Sequence, residues 1–440
     1  MLTRTTRRLV FYSLILAFLA IGTAAVFYAQ GYRLDPGTFR VQKIGAIYVR
    51  TLPADSHISV GGESVERSFA FFDTGVFVSG LFPKRYEVAA ERDGYRPWRQ
   101  HVDVEPARVG ELKYVVLGPN VPTPIPSGDA ADFWMLGRTP LIQNASGTLV
   151  WNGRPIPGDR VDGWTDDENR LLTRLDRTGE YYWTDLGNGS STALGSLLAR
   201  AGVRPDRTVV LPDPRNSSRV VVHAPGGVSF YELQTNRLTR IATTTIPALA
   251  PEQLARSRTQ FAWISRALDA TSSVLYLTDA GSGASATSSV DISDNVTKLA
   301  WATDELLVLL TTNGTLYVYR PSPETLVGRA NTVRDFSLSP DGTMLAALES
   351  QSIELFSLTS DDYWRLNIPD TSSIAKLSWY RDDRHLFLHY PDRVLFLDLD
   401  DRSLQGLIPV AETANAHYDP ETNMLHYLAD DSVFALAFPS

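Results

Sequence analysis

The chain opens with a long apolar run and then changes to short runs that alternate between apolar and polar residues. Nearly every residue from Leu9 to Ala29 is apolar, and no charged residue lies between Arg8 and Arg33. At about 1.5 Å rise per residue, such a run spans roughly 30 Å as a helix, the thickness of the hydrocarbon core of a bilayer. The pattern predicts a transmembrane helix over residues 9–30, preceded by a short segment, residues 1–8.

The charges on either side of the run indicate its orientation. Arginines precede the run, and positively charged residues favour the cytoplasmic side of a membrane. We therefore expect residues 1–8 to be cytoplasmic and everything after Gly31 to be extracytoplasmic, in a single-pass protein of the cell membrane. Basic residues on the far side of the run oppose this bias: Arg33, Arg40 and Lys43.

A cleaved signal peptide is the alternative to a retained anchor. The apolar region of a signal peptide usually has about 7–15 residues and ends at small residues. The present run is longer, and the bulky residues Val26, Phe27 and Tyr28 stand where the cleavage site would fall. A retained anchor is favoured, and both alternatives export the rest of the chain.

Residues 44–118 consist of short alternating runs, which predict β-strands. Gly, Pro and Asp bound each run, as in a small antiparallel sandwich. The predicted strands cover residues 46–50, 57–60, 85–91 and 112–117. Pro53 sets the backbone of a turn that the Asp55 side chain is expected to close, and Gly94 permits a positive φ at another reversal. We expect Trp98 to pack beside the sheet.

The order and spacing of these turns are more specific than any single turn. The informative segments are Leu52–Gly62, Leu81–Val88 and Asp93–Tyr95. Together they resemble the PEGA domain, a small β-sandwich module of surface-exposed bacterial and archaeal proteins. Lys84-Arg85 replaces the usual glycine of that pattern, and Gly61 stands where aspartate is common. The resemblance implies a spacer or adhesion module on the envelope side and brings no catalytic residues with it.

Residues 119–131 form a proline-rich segment. Prolines occupy alternate positions between Val121 and Gly128. Because proline has no N–H and restricts φ, such a segment follows an extended, semi-rigid path. We interpret these residues as a linker between the sandwich and a second domain.

From residue 132 to residue 440 one phrase recurs: an apolar strand, a turn that contains aspartate, and a second apolar strand. Its period of about 35–50 residues is typical of one four-stranded blade of a β-propeller. Seven clear copies run from Val161 to the C-terminus, and residues 132–151 form a shorter, degenerate one. Since the two chain ends usually share one blade, residues 120–158 are expected to complete the last copy. This gives seven blades, with eight as the alternative.

The clearest copy is Ser339-Pro340-Asp341-Gly342, which resembles the corresponding element of the TolB-type and WD-like β-propeller families. We expect Asp341 to bond the backbone of its own turn and Gly342 to supply a positive φ. Four tryptophans recur just before such turns and are expected to be buried between neighbouring sheets: Trp164, Trp263, Trp301 and Trp379.

Composition excludes several classes of protein. The chain has no cysteine, which removes disulfides, thiolate metal sites and cysteine nucleophiles. Its net charge of −9 is spread out, without a basic patch of the kind that follows a phosphate backbone. Nucleic acid is therefore not expected as a partner.

A search for catalytic motifs finds neither Gly-x-Ser-x-Gly, nor a Walker loop, nor His-Glu-x-x-His. His385 and His389 alternate onto one face of a strand, but no nearby carboxylates complete a metal triad, so packing roles are expected. Acidic pairs such as Asp166-Asp167 fall in predicted turns, although a propeller face that collects several could attract cations. We predict no catalytic, cofactor-binding or metal-binding residues, and no cofactor.

Two classes of function remain open. The favoured one is a membrane-anchored, extracytoplasmic binding or scaffold protein of the bacterial or archaeal cell envelope. In it the helix contacts the lipid bilayer and the propeller presents a face to a protein or glycan. The alternative is a propeller-type envelope hydrolase or lyase that acts on polysaccharide or peptide. A polar cluster in the central channel would favour the enzyme.

Overall fold

The computed structural model describes residues 4–37, 39–65, 75–204, 208–213, 216–224, 227–242, 254–257, 259–265, 272–279, 284–368, 370–400 and 407–439. Most of this part of the chain is β-strand. The main boundary between its two compact units lies between Val121 and Pro122.

The first unit begins with helix α1, Arg4–Ala29. Within it, Arg8–Ala29 has a mean hydropathy of 2.3, and none of this segment is buried. The helix is therefore long and apolar enough to cross a membrane, a property that signal sequences near an N-terminus share. The chain turns away from the helix at Gly31. This glycine has a φ of +86°, and its N–H donates to the Tyr28 carbonyl at 3.1 Å.

A two-stranded hairpin follows the helix. Its strands are β1, Tyr32–Leu34, and β2, Val41–Lys43. In this antiparallel pair Tyr32 lies opposite Lys43, and Leu34 lies opposite Val41. These four residues therefore share one face of the hairpin, because alternate residues of a strand point to the same side.

Two sheets form the next part of the first unit. The strands are β3 Gly45–Leu52, β4 His57–Val60, β5 Glu63–Val65, β6 Val76–Leu81, β7 Arg85–Glu91, β8 Trp98–Asp103 and β9 Val109–Val116. One sheet has the order β6-β3-β9 and the other β5-β4-β7-β8. A β-carbon at Gly110 on β9 would lie 3.0 Å from the Val102 side chain on β8, so the two sheets approach each other closely there.

The four strands predicted for this region all form, and β5, β6 and β8 are additional to them. The expected role of Asp55 is wrong. The turn after β3 is closed by the hydroxyls of Ser56 and Thr51, which donate to the Pro53 carbonyl at 2.7 and 3.0 Å. The Asp55 carboxylate instead pairs with Arg92 at 2.7 Å, because its side chain points outward from the turn.

Two other expectations for this region are confirmed. Gly94 has a φ of +83° at the reversal between β7 and β8. Trp98 is only 1% exposed and begins β8, so it belongs to the sheet rather than to the turn beside it.

The second unit contains eight four-stranded antiparallel sheets among its described residues, which we number I to VIII. Sheets I and II consist of β11 Ala130–Leu136, β12 Thr139–Asn144, β13 Leu149–Trp151 and β14 Arg154–Ile156, then β15 Arg160–Trp164, β16 Arg170–Leu175, β17 Glu180–Asp185 and β18 Ser191–Ala193. Helix α2, Gly195–Arg200, follows. Sheets III and IV consist of β19 Val209–Pro212, β20 Arg219–Ala224, β21 Gly227–Glu232 and β22 Arg237–Ala242, then β23 Leu254–Arg256, β24 Gln260–Ser265, β25 Ser273–Asp279 and β26 Ser285–Val290.

The remaining four sheets follow the same order. Sheets V and VI consist of β27 Val296–Thr303, β28 Leu306–Thr311, β29 Leu316–Pro321 and β30 Glu324–Ala330, then β31 Asp335–Leu338, β32 Met344–Leu348, β33 Ile353–Ser357 and β34 Tyr363–Leu366. A 3-10 turn, Thr371–Ser373, precedes sheet VII, which consists of β35 Lys376–Trp379, β36 His385–His389, β37 Val394–Asp398 and β38 Ile408–Ala411. Sheet VIII joins β39 Ala416–Asp419, β40 Met424–Ala429 and β41 Ser432–Ala437 to β10 Thr123–Ile125.

Each sheet packs on the next. Shared apolar clusters join sheets I to II, II to III, III to IV, IV to V, and V to VI. The Trp379 indole donates from sheet VII to the Ser337 carbonyl of sheet VI at 3.1 Å, and Tyr418 of sheet VIII packs on Tyr380 of sheet VII. Val433 of sheet VIII packs against sheet I. The order in which the sheets pack is therefore circular, as in a β-propeller.

The interpretation of residues 119–131 as a linker is wrong in part. Thr123–Ile125 pairs with β41, and β11 already begins at Ala130. Pro124 is tolerated here because β10 lies at the edge of sheet VIII, where a missing N–H donor removes no essential bond. Residues 130–156 form sheet I by themselves, so only Thr123–Ile125 completes the last copy of the repeat. The described residues therefore form eight four-stranded sheets, whereas the sequence favoured seven blades.

The expected turn chemistry of the repeated phrase is confirmed. Asp341 accepts hydrogen bonds from the Thr343 N–H at 2.8 Å and from the Ser339 hydroxyl at 2.6 Å. Gly342 has a φ of +72°, and a β-carbon there would lie 2.0 Å from the Ala302 carbonyl of sheet V. This glycine is required both by its own turn and by the close approach of the neighbouring sheet.

The four repeat tryptophans are not equivalent. Trp164, Trp301 and Trp379 lie on the first strands of their sheets, whereas Trp263 lies on the second strand of sheet IV. The assignment of Trp263 was wrong because the short first strand β23, Leu254–Arg256, precedes it. Trp263 and Trp379 are 0% and 4% exposed, but Trp164 and Trp301 are only half-buried.

This difference predicts unequal effects of truncation. Trp263→Ala should lower the free energy of unfolding by about 3–5 kcal/mol, because it empties a fully buried site. Trp301→Ala should cost distinctly less, since solvent already reaches the indole. Urea unfolding of the full chain measures both, with Trp98→Ala in the sandwich as the control that leaves the propeller transition unchanged. Equal losses for Trp263→Ala and Trp301→Ala would contradict this prediction.

The pairing of β10 predicts that sheet VIII depends on residues before the propeller repeats. A chain that begins at Gly118 retains β10, and one that begins at Asp129 loses it. The shorter chain should melt at a lower temperature and aggregate more readily, because β41 is left as an unpaired edge. Circular dichroism and light scattering measure the two effects. Equal melting temperatures would show that β10 plays no part in stabilising the ring.

Candidate functional site

A cavity of about 1050 Å³ opens between sheets VIII, I and II, and we call it the closure pocket. Its residues come from β10 and sheet VIII, from the end of β11 and its turn, and from the end of β15 and its turn. They are Thr123, Ile125, Met135, Gly137, Arg138, Trp164, Asp166, Asp167, Glu168, His417, Asp419, Pro420, Glu421, Thr422, Met424, His426, Ala435 and Ala437.

Strand register explains why a cavity exists here. His417, His426, Ala435 and Thr123 lie directly opposite one another across the four strands of sheet VIII. They therefore form one row on the face that turns toward sheet I. The two imidazoles occupy half of this row, while the alanine and threonine are too small to fill the space beside them. At the other end of the same face, larger side chains pack on sheet I around Val433 and close the gap.

The rim of the pocket is acidic. Asp166, Asp167 and Glu168 lie in the turn after β15, and Asp419 and Glu421 lie in and beside the turn after β39. Arg138 is the cation among the lining residues. The rim therefore has an excess of carboxylates, which attracts a positively charged ligand.

Two of these carboxylates accept hydrogen bonds within the turns in which they lie. Asp167 accepts hydrogen bonds from the Thr165 hydroxyl at 2.5 Å and the Asn169 N–H at 3.2 Å, and the Thr165 bond is the main reason that its pKa is lowered. Asp419 accepts from the Glu421 N–H at 2.9 Å. No such bond is found in the described part of the chain for Asp166, which is exposed, lines the pocket and interacts electrostatically with Arg256.

His426 is the most unusual group in the pocket. Its side chain is 3% exposed, and its Nδ1 atom has no hydrogen-bond partner among the residues that the structure describes. Burial, helped by the nearby His417, lowers the pKa of His426 to about 4. The imidazole is therefore neutral near pH 7 and offers both a donor and an acceptor to whatever enters. A buried polar atom without a partner is costly, which makes it a good position for a ligand contact.

A second polar group lies on strands β27, β31, β35 and β36 of sheets V to VII. Lys298 Nζ donates to the Asp335 carboxylate at 2.5 Å and to the Phe336 carbonyl at 2.8 Å. His389 Nε2 lies 2.7 Å from the Ser378 hydroxyl. Lys376 is exposed, yet burial of its surroundings lowers its pKa, with the Lys298 charge as a smaller cause.

The two histidines singled out from the sequence are buried and have polar contacts within their own sheet. His385 is 1% exposed, its Nδ1 lies 2.7 Å from Asp382 Oδ2, and its ring stacks on Phe396. His389 is likewise buried and bonded to Ser378. His417 and His426 were missed because they are nine residues apart in sequence, and only the pairing of β39 with β40 places them opposite each other.

The groups that line the pocket differ in chemical character. Within the described ranges, no group of three or more His, Asp and Glu side chains is placed to hold a metal ion. The pocket combines an indole face, an acidic rim and neutral imidazoles, which suits recognition by stacking, charge and hydrogen bonding.

Comparisons with known proteins do not assign a family. Neither the known family models nor the curated proteins contain a match to this chain. Among solved structures, a chain in "Crystal Structure of Mitotic Checkpoint Complex" is 16% identical, with a TM-score of 0.41, over 63% of this chain and 88% of that one. "Oligogalacturonate lyase in complex with manganese" is 12% identical, with a TM-score of 0.42, over 72% and 99%.

A third similar structure, apo AztD from Citrobacter koseri, is 12% identical, with a TM-score of 0.45, over 76% of this chain and 94% of that one. Similarities at this level carry no argument about function. The class of protein is therefore defined by the sheets themselves: a chain with an N-terminal apolar helix and a β-propeller-like domain.

The buried histidines predict that stability depends on pH. Burial lowers the pKa of His426 and His223 to about 4 and that of His389 to about 3. A histidine in the unfolded chain takes up its proton near pH 6.5, whereas the buried histidine stays neutral until about pH 4. Protonation therefore favours the unfolded chain, and the free energy of unfolding is highest above about pH 6.5 and decreases as the pH falls toward 4. Each such histidine contributes up to about 1.4 kcal/mol per pH unit in that window.

His426→Gln should therefore reduce the loss of unfolding free energy between pH 7 and pH 5, measured by urea titration. The exposed sandwich residue His57 supplies the control, His57→Gln, which should leave the slope unchanged. Burial raises the pKa of Asp383 to about 6, so this residue adds stability as the pH falls, opposite to the histidines. It is present in the parent protein and in both variants, so it does not affect their comparison. An unchanged slope in His426→Gln would show that this histidine is not the buried neutral group described here.

Proposed function

We propose that this protein is a membrane-anchored, extracytoplasmic binding protein of the bacterial or archaeal cell envelope. In this proposal α1 is retained as a single-pass anchor with a cytoplasmic N-terminus. The sandwich is a PEGA-like spacer module, and sheets I to VIII are the blades of an eight-bladed propeller. The closure pocket is the surface that binds the partner.

One observation carries the binding role: the buried, unpartnered Nδ1 of His426 in a pocket of about 1050 Å³. This atom lies in the wall of the pocket, where a ligand that enters can supply the missing hydrogen bond. The half-buried indole of Trp164 adds an aromatic surface at the same pocket. Indoles of this kind are frequent anchors of binding interfaces.

The charge of the rim favours a protein partner with a basic segment. The lining of the pocket holds five carboxylates and one arginine, so a lysine or arginine side chain gains attraction at the mouth, while an acidic chain is repelled. The histidines and Trp164 would then contact the rest of the segment. A neutral glycan would use the hydrogen-bonding groups without this charge, and it is therefore the competing outcome of the experiment.

Binding is tested on the full chain in detergent with three probes: a Lys/Arg-rich hexapeptide, a Glu-rich hexapeptide and a neutral N-acetylglucosamine oligomer. We expect the basic peptide to bind, with an affinity that the variant Asp166→Asn/Glu421→Gln lowers about tenfold. The matched control Asp304→Asn/Glu305→Gln removes two exposed carboxylates from the equivalent turn of sheet V and should leave the affinity unchanged. Calorimetry measures each dissociation constant.

The other outcomes decide against parts of this proposal. Binding of the oligosaccharide alone would replace the basic protein partner with a glycan. Binding that both double variants weaken equally would move the site away from the closure pocket. The orientation is tested separately: protease added to cells with an opened outer barrier should digest the chain from residue 33 onward, and protection would refute export.

A further inference from the structure

The helix α1 and the β1–β2 hairpin enclose a cleft of about 1050 Å³. We propose that this cleft binds one anionic phospholipid, with an acyl chain along the helix and the headgroup phosphate on Arg33, while Lys43 on the neighbouring strand adds positive charge. This inference rests on the proposed retention of α1 as an anchor. It adds a defined lipid site to the general contact between an anchor and the bilayer.

The wall of the cleft is apolar along much of the helix. Leu16, Leu19, Ala20, Thr23 and Ala24 line it on the helix side. At 1.5 Å per residue, the stretch from Leu16 to the end of α1 is about 20 Å long, which corresponds to more than one leaflet of the hydrocarbon core. The small side chains of Ala20, Thr23 and Ala24 leave a groove of the kind an extended acyl chain fills.

The hairpin supplies the opposite wall. Leu34 and Val41 lie opposite each other on β1 and β2, and both line the cleft. They are 59% and 62% exposed, an arrangement that costs free energy in water but suits contact with a lipid chain. Phe39, in the turn between the two strands, is 81% exposed and extends the apolar surface at the membrane interface.

Two cations of the hairpin lie over aromatic rings, and one of them, Arg33, lines the cleft. The Arg33 guanidinium lies 3.3 Å from the centre of the Tyr28 ring, and its Nη1 donates to the carbonyls of Tyr28 and Tyr32 at 2.7 and 3.0 Å. The Nε and Nη2 atoms of Arg33 make no hydrogen bond to a residue within the described ranges. Lys43 lies 6.0 Å from the centre of the Tyr32 ring, and the Phe27 ring packs edge-on against Tyr32.

The position of Arg33 also offsets the partial negative charge at the C-terminal end of α1. The C-terminal end of a helix is partially negative and repels an anion. Because Arg33 bonds the Tyr28 carbonyl in the last turn of α1, its charge offsets this end and leaves two further donors for a phosphate. Lys43 and the nearby Arg40 add positive charge, whereas the Asp35 carboxylate accepts the Gly37 N–H at 2.9 Å within the turn. This combination of a cationic mouth and an apolar cleft favours an anionic lipid over an uncharged one or over another helix.

Native mass spectrometry of the full chain in detergent tests the proposal. The probes are phosphatidylglycerol, phosphatidylcholine and inorganic phosphate. We expect one phosphatidylglycerol per chain, bound at least tenfold more tightly than phosphatidylcholine, and no adduct of inorganic phosphate. Arg33→Gln/Lys43→Gln should remove the preference. The matched control Lys84→Gln/Arg92→Gln removes two sandwich cations that also lie over tyrosine rings and should have no effect.

A second variant, Leu34→Ser/Val41→Ser, keeps every charge and should weaken phosphatidylglycerol binding by reducing the apolar wall. Equal binding of the two lipids, or binding of inorganic phosphate alone, would overturn the proposal. Dimers without lipid would assign the cleft to a second copy of the chain and would also overturn it. A chain isolated from cells without residues 1–30 by intact mass would instead refute the retained anchor, a result separate from the binding of peptides at the closure pocket.

Discussion

The propeller depends on one constraint: each of its sheets must bury its faces against two neighbours. Val308 and Leu310 of sheet V pack on sheet VI, whereas Leu307 and Leu309, which alternate with them on the same strand, pack on sheet IV. A strand that is apolar on both sides is stable only when both sides are covered. The ring therefore has to close, and the pairing of Thr123–Ile125 with β41 completes the sheet at which it closes.

Closure also creates the candidate site. Sheet VIII is assembled from segments that are some three hundred residues apart, and small side chains occupy part of its face toward sheet I. The volume that Ala435 and Thr123 leave empty becomes a pocket, into which His426 points without a protein partner for Nδ1. The acidic turns on either side then determine which ligand charge is favoured.

At the other end of the chain, apolar surface and charge are likewise combined, around the N-terminal helix. The apolar helix meets the hairpin at Gly31, and Arg33 returns to the Tyr28 carbonyl in the last turn of the helix while Leu34 and Val41 remain exposed. In water this arrangement would be unfavourable. It becomes favourable at a membrane interface, where apolar side chains, tyrosine rings and basic groups each find a suitable neighbour.

The sequence by itself determined the local features: the apolar helix, the strands of the sandwich, the Asp341 turn and the repeat that indicates a propeller. These depend on residues close together in the chain, such as the Ser339 and Thr343 bonds to Asp341. Only the tertiary structure decided that β10 closes sheet VIII, that sheet I stands alone, that Trp263 lies on a second strand, and that His417 and His426 share a pocket. Strand register and ring closure join distant segments, and such pairing follows from the packing of the whole domain rather than from any local pattern.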